Sequence, residues 1–439
     1  MVSFPRYEKY KDSGVEWLGE IPEHWDLVKV FHDFNLIGSG TTPQSGNYKY
    51  YKNGVVPWVN TGDLNNTKLD SVKHKITNKA IQDYSTLKLY PKGTIIVAMY
   101  GATIGQAAIL NISACTNQAC CALGKSKFHE HKFFFYWIIG YKKNIILMGY
   151  GGGQPNISQE IIKKRKVPTP PLEEQKRIVE FLDRKTEEID RAIAHKKRLI
   201  ELLEEQKTIL INQAVTKGLN PNAPMKDSGI EWIGEIPEHW EVKKISRITR
   251  VVRGASPRPA GHPRFFSSTD GTPWVTVAEI TKDDNVYLNS TQEHLTASGV
   301  KQSQFFERGT LLLTNSGATL GVPKILNIDC CANDGVLAFK YLSKNIYIKF
   351  LYFYLYSQTF RLREEMKQGS GQPNLNTEIA KNILITVPNL KEQKEIVVFI
   401  ETWINQKNKL IENMKQGIEK LKELKQILIA EAVTGKIKI

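Results

Sequence analysis

Cysteine is scarce in this chain, and its placement excludes most of what cysteine does. Five residues, Cys115, Cys120, Cys121, Cys330 and Cys331, occur among 439. They form no CxxC pair and offer no spacing that would supply four zinc ligands, so they read as small buried residues. Long apolar runs are missing as well. No stretch approaches the roughly eighteen consecutive apolar residues of a membrane span. The opening MVSFPRYEKYKDSG has no apolar core of signal-peptide length, which places the chain in the cytoplasm by expectation. Catalytic signatures are absent too. Gly124-Lys125-Ser126 could end a phosphate-binding loop, but Ala119 stands where its first glycine belongs. GYGGGQPN (149–156) does not follow a strand and open a helix, as a dinucleotide site requires. Neither Gly-x-Ser-x-Gly nor His-Glu-x-x-His occurs, and the nine histidines form no repeated cluster. The expectation is a chain without catalytic residues, metal or cofactor of its own.

Glycine and proline are also missing from one long stretch, 172–217, and what fills it is informative. Leu, Ile, Glu, Lys, Arg and Gln dominate, residues that lose little on entering a helix. Apolar residues recur in steps of three and four at Ile178, Leu182, Ile189, Ile193, Ile200, Leu203, Leu210 and Ala214. With Lys185, Lys196 and Lys207 the stripe has eleven positions, the spacing of a coiled-coil seam. Shifted by 218 residues, the pattern returns in 389–434 at Ile396, Ile400, Trp403, Lys407, Ile411, Met414, Ile418, Leu421, Lys425, Leu428 and Ala432. Lys207 and Lys425 are equivalent, and a polar seam residue tends to set register. Two matched helices in one chain predict an intramolecular coiled coil.

The rest of the chain is duplicated in the same way. KDSGVEWLGEIPEHW (11–25) returns as KDSGIEWIGEIPEHW (226–240). His24 and Glu23 could suggest catalysis, but a repeated anchor with Trp25 and Trp240 packed inside is the better reading. VVPWVNTGDL (55–64) corresponds to GTPWVTVAEI (271–280), and GTIIVAMYGATIGQAAILN (93–111) to GTLLLTNSGATLGVPKILN (309–327). Each of the latter reads as two strands around a glycine turn. Aromatic helices follow at 131–146 and 347–362. The fold class is α+β: two globular domains in tandem repeat, 1–170 and 218–388, separated by helical spacers 171–217 and 389–439.

Net charge is +15. The first spacer holds ten basic and ten acidic residues and the second ten and seven, which leaves +12 on the globular parts. A basic globular surface is the footprint of a polyanion binder. Between the shared frames lie loops that diverge, GSGTTPQSGNYKYYKNG (38–54) and RGASPRPAGHPRFFSSTDG (253–271), each carrying cations and aromatics.

In order and in duplicate, EIPEHW, the GSGTTP loop, the PWV strand, the GATIG turn, the GGGQPN turn and PPLEEQKRIVEFLD resemble the specificity subunit of type I restriction-modification systems. The resemblance covers essentially the whole chain. It implies two target recognition domains that each read half of an asymmetric, split sequence in double-stranded DNA. It implies two long helices that pair as an antiparallel coiled coil, set the unread gap and dock two copies of the methyltransferase (modification) subunit, with motor-nuclease restriction subunits joining them. S-adenosylmethionine, ATP and magnesium belong to those partners, and no membrane is involved.

Base edges are read by Arg to guanine and by Asn or Gln to adenine. The residue types in the loops therefore single out Thr42, Gln44, Tyr48, Lys49, Tyr50 and Lys52 in the first domain. In the second they single out Arg253, Ser256, Arg258, His262 and Arg264. Gln154, Asn156, Gln372 and Asn374 are further DNA-binding candidates, for which a turn role is the other reading. The rival functions are a coiled-coil scaffold with protein-binding ends and a stand-alone nuclease or methyltransferase.

Overall fold

The computed structural model describes residues 4–147, 156–364 and 374–439. Two helices dominate it, α1 (Leu172–Lys217) and α2 (Leu390–Val433), 46 and 44 residues long. All eleven stripe positions on each helix are buried or half-buried. The chain divides into two compact units, Met1–Lys197 with Lys415–Ile439, and Arg198–Met414. Each unit takes one globular region and half of each helix, because an amphipathic helix buries its apolar face only against something else.

In the first unit Ile178 and Leu182 share a core with Leu428 and Ala432. Further along, Lys425 Nζ lies 2.6 Å from Asp190 Oδ2, and Gly417 faces the Lys196 side chain. In the second unit Ile211, Ala214 and Val215 share a core with Ile396, Val397 and Ile400. In the first unit numbers rise along one helix as they fall along the other, Asp190 with Lys425 and Lys196 with Gly417, so these segments run antiparallel. The two seam lysines differ in use. Lys425 pairs across the seam, whereas Lys207 sits 5.7 Å from the Tyr356 ring and Asn408 replaces the aspartate.

Each globular region contains a five-stranded sheet of one order. In the first it runs Ile37–Gly38, Cys120–Leu123, Ile95–Ala98, Ala107–Leu110, Thr67–Leu69. In the second it runs Arg250–Arg253, Val336–Lys340, Leu311–Thr314, Pro323–Leu326, Tyr287–Leu288. The central strands are apolar throughout in the first region and mostly so in the second, where the buried Lys324 is paired with Asp283 (2.7 Å), because both faces are covered. Ile95 and Val97 face the core shared with the helices, while Ile96 and Ala98 face a second core. Leu311 and Leu313 against Leu312 repeat that alternation. Glycines make the turn between the paired strands, Gly101 and Gly105 at φ 70° and 73°, Gly317 and Gly321 at 72° and 85°. The aromatic helix is continuous in the first region, His131–Leu147. In the second it breaks at Gln358 into Ile348–Ser357 and Thr359–Glu364. There the buried Gln358 amide turns to Asn212 and Ser357.

The repeated Ile-Pro-Glu-His-Trp segment ties each region to both helices. Trp25 Nε1 donates to Glu174 Oε1 (3.2 Å) and Trp240 Nε1 to Glu392 Oε1 (3.0 Å), both acids in the first turn of a long helix. His24 and His239 stand 2.9 Å from the second oxygen of the same acids. The other side of each tryptophan meets the end of the opposite helix, Gly435 for Trp25 and Gly218 for Trp240, both glycines at positive φ. His24 and His239 thus fasten the repeated segment to the helices, as its repetition suggested.

One residue further, Gln175 and Gln393 close the turn that opens each helix. Gln393 Nε2 donates to Pro388 O (2.8 Å) and Asn345 O (2.9 Å), and Oε1 accepts from Tyr347 N (2.7 Å). Gln175 makes the same set with Pro170 O, Phe128 O and Glu130 N. Removing one leaves three backbone groups without partners, each costing about 1–3 kcal/mol. Gln393→Ala is expected to lose about 3 kcal/mol or more of stability. Urea unfolding checks this, and an unchanged midpoint would contradict it.

Candidate nucleic-acid interface

The divergent loops begin at a glycine pressed against the strand beneath. A Cβ on Gly40 would lie 1.7 Å from Thr116 O, and one on Gly254 would lie 2.1 Å from Asn333 O. Two residues on, a hydroxyl reaches the strand-end loop: Thr42 Oγ1 to Gln118 Oε1 (2.7 Å), and Ser256 Oγ to Asp334 Oδ1 (2.6 Å). Pro43 and Pro257 are both buried. The next backbone N–H is held from across the loop, Gln44 N by Tyr84 Oη (3.0 Å) and Arg258 N by Gln302 Oε1 (2.9 Å). Gly-Thr-Thr-Pro-Gln and Gly-Ala-Ser-Pro-Arg are therefore one frame. The loops diverge less than their sequences suggest, because what they share is a spacing of Gly, hydroxyl and Pro.

A second shared element follows. Asn47 caps a short turn, Tyr48–Tyr50, and His262 caps Pro263–Phe265 by accepting from Arg264 N at Nδ1 (3.3 Å). In each turn a cation covers a buried ring, Lys49 over Tyr50 at 4.6 Å and Arg264 over Phe265 at 4.4 Å. A threonine hydroxyl secures both, Thr77 to Lys49 O and Thr296 to Arg264 O, each at 2.8 Å.

These positions sort the expected residues. Tyr48 is 79% exposed and Gln44, Lys49, Lys52, Arg253, Arg258, His262 and Arg264 are exposed, while Thr42 and Ser256 are half-buried. Tyr50 departs from the exposed position expected of it: at 6% exposure it lies in a small core with Trp58 and Ile76, and its ring supports the loop from beneath. Asn156 and Asn374 bridge to Tyr100 and Ser316, beside the Gly-Ala-Thr turns. Gln154 and Gln372 lie outside the described residues.

Gln118 and Asp334 were missed by the sequence reading. Their signal was Thr-Asn-Gln (116–118) against Ala-Asn-Asp (332–334), just after the equivalent Cys115 and Cys331. Asp334 gathers the second domain's polar residues. Besides Ser256, Arg253 Nε donates to its carbonyl (2.6 Å) and an Arg258 guanidinium nitrogen lies 3.5 Å from Oδ2. The Ser256 hydroxyl, with Arg253 and Arg258 nearby, holds its carboxyl below the usual range. In the first domain the Tyr50 hydroxyl and Asp83 raise the Lys49 ammonium above its ordinary value.

The cysteines behave as expected. All five are buried, and burial pushes the Cys115 thiol up to about 11. Among the described residues no group of three or more His, Cys, Asp or Glu could hold a metal ion. No helix among them is long and apolar enough to cross a membrane.

The family described as "Type I restriction modification DNA specificity domain" matches residues 22–205 and again residues 237–420. The chain belongs to this family. Its two copies of the specificity domain fall on the two repeats. Similar full-length proteins include the type I restriction enzyme MjaVIII and MjaIX specificity subunits of Methanocaldococcus jannaschii, each 25% identical. They match over 95% and 100% of this chain and 94% and 99% of their own lengths. The EcoKI specificity subunit of Escherichia coli is 22% identical over 95% of this chain and 90% of its own. Among solved structures, a chain from work on complex assembly and conformational transition of the type I R-M system matches with a TM-score of 0.70. The HsdS subunit of Thermoanaerobacter tengcongensis matches with 0.54. Both are 17% identical and cover 94% of this chain and 98% of theirs, so they share the fold.

Proposed function

We propose that this chain is the non-catalytic, sequence-specific DNA-binding subunit of a type I restriction-modification enzyme. Each globular domain reads one half of a split, asymmetric target, and α1 and α2 set the distance between the halves. The observation that carries this reading is one loop frame, used twice, with different exposed side chains at matching points. A palindrome could be served by two identical modules, whereas Gln44 against Arg258 and Gln118 against Asp334 suit unequal half-sites. The basic excess of the globular parts supplies phosphate contacts, which position the protein without specifying sequence.

The helices serve as the platform for two modification subunits, which the restriction subunits join. Supporting this, Leu199, Leu202 and Ile209 on α1 and Val398, Phe399 and Leu410 on α2 are exposed within the second unit, and Leu424 and Ile427 within the first. S-adenosylmethionine, ATP and magnesium bind to the partners, and the complex works in the cytoplasm. Membership of the specificity-domain family favours this over a protein-binding scaffold. Binding of duplex DNA by the chain assembled with its modification subunits tests the reading. The logarithm of the affinity is expected to fall linearly and steeply with the logarithm of salt, since each neutralised phosphate adds about 0.9 to the slope. A salt-independent affinity would overturn it.

A further inference from the structure

The loop frame presents one side chain in each domain from a backbone fixed on every side. Gly40 and Gly254 press it to the strand, the buried Pro43 and Pro257 fill the gap behind, and Tyr84 and Gln302 hold the N–H of the next residue. That next residue, Gln44 or Arg258, is exposed, Arg258 with 72% of its side chain accessible. A backbone so constrained needs no further ordering when its side chain makes a contact, which lowers the cost of a specific one.

The neighbour changes with it. Beside Arg258 stands Asp334, whereas the equivalent Gln118, which accepts from Thr42 two residues before Gln44, carries no charge. A carboxylate facing the DNA backbone is unfavourable alone. Asp334 is offset by Arg253 and Arg258 and anchored by Ser256, so it is placed to hold a guanidinium rather than to read a base itself. Its single 3.5 Å contact leaves most of the Arg258 donors unengaged by it.

We propose that Gln44 and Arg258 are the paired specificity-determining residues of the two domains: Arg258, positioned by Asp334, reads a guanine, and Gln44, with no carboxylate at the equivalent point, reads an adenine. The pairing follows from edge chemistry. The guanidinium fork matches guanine O6 and N7, and a carboxamide matches adenine N6 and N7. The proposal rests on the DNA-reading function above and names the residues that carry it out.

The test is competition binding by the complete chain with its modification subunits, on duplexes that differ from the target at one base pair. Arg258→Ala is expected to weaken target binding by roughly 10- to 100-fold and to flatten the preference at one G·C pair of one half-site. Gln44→Ala is expected to flatten the preference at one A·T pair of the other half-site. Asp334→Asn, a change at a positioning residue, is expected to weaken discrimination at the same G·C pair as Arg258→Ala, by less, with the salt slope unchanged. Uniform weakening on every sequence, with a salt slope lower by about 1, would make Arg258 a phosphate contact and overturn the assignment. Unchanged preferences in the variants of a sequence-specific wild type would overturn the assignment alone. A wild type without sequence preference would overturn it together with the proposed function.

Discussion

A chain whose first loop is replaced by an unrelated one is expected to lose one half-site and keep the other intact. The structure defines which residues the exchange can cover. Gly40 must stay, because any Cβ there collides with Thr116 O, and Tyr50 must stay because it fills the core under the loop. Pro43 must stay as well, since it is buried and its carbonyl accepts from Tyr51 Oη (2.5 Å). The exchange that tests reading without testing folding covers residues 44–46 and 48–49, with the Thr42–Gln118 bond and the Asn47 cap kept. Two lost base contacts at about 1–3 kcal/mol each weaken binding by roughly 30-fold or more. Sequence preference in the other half-site should not move, because none of these side chains belongs to the second unit. Sequencing the duplexes retained by wild-type and exchanged complexes shows the outcome. Loss of both half-sites would contradict modular reading.

Adding one heptad to each long helix is expected to lengthen the unread gap by about three base pairs with both half-sites unchanged. Seven residues extend a helix by roughly 10 Å, and duplex DNA rises about 3.4 Å per base pair. A heptad also preserves the three-and-four spacing of the seam, whereas four added residues would rotate the apolar stripe. The place matters as much as the length. Near the end of α1, Ile211 and Val215 are fully buried and Val215 O accepts from Thr386 Oγ1 (2.7 Å), so an insertion there would break the second core. Between Lys197 and Arg198, and between Met414 and Lys415, each helix passes from one unit to the other. Insertions at these two points leave both cores whole. An unchanged gap in the selected duplexes would mean that the helices do not set it.

Most of the frame could be read from the chain without coordinates. The helical stripe needed only its period, and Trp25 with Trp240 needed only their repetition. The strands Ile95–Ala98 and Leu311–Thr314 announced themselves by β-branched and leucine-rich runs between glycines. The loops were harder for a physical reason. Irregular backbone has no period, so Gly40 and Gly254, 214 residues apart, could be matched only when both were found pressed on the same strand end. Tyr50 was misplaced for a related reason. Aromatic and cationic residues alternate in Tyr48, Lys49 and Tyr50, and composition cannot say which ring turns inward. Gln118 and Asp334 lie in a separate stretch some seventy-odd residues from Thr42 and Ser256, and only the fold brings them together. The tie between the chain's two ends was equally hidden. Lys438 N donates to Pro5 O (2.8 Å) and Ile437 is buried in the first core, contacts between segments that share no pattern.

The central claim is that two unequal readers are joined by a fixed spacer. Selection from a library of random duplexes by the chain assembled with its modification subunits tests it most directly. The account predicts enrichment of one target made of two different short blocks around a gap of fixed length and free sequence. A single contiguous block, or two identical half-sites, would contradict it.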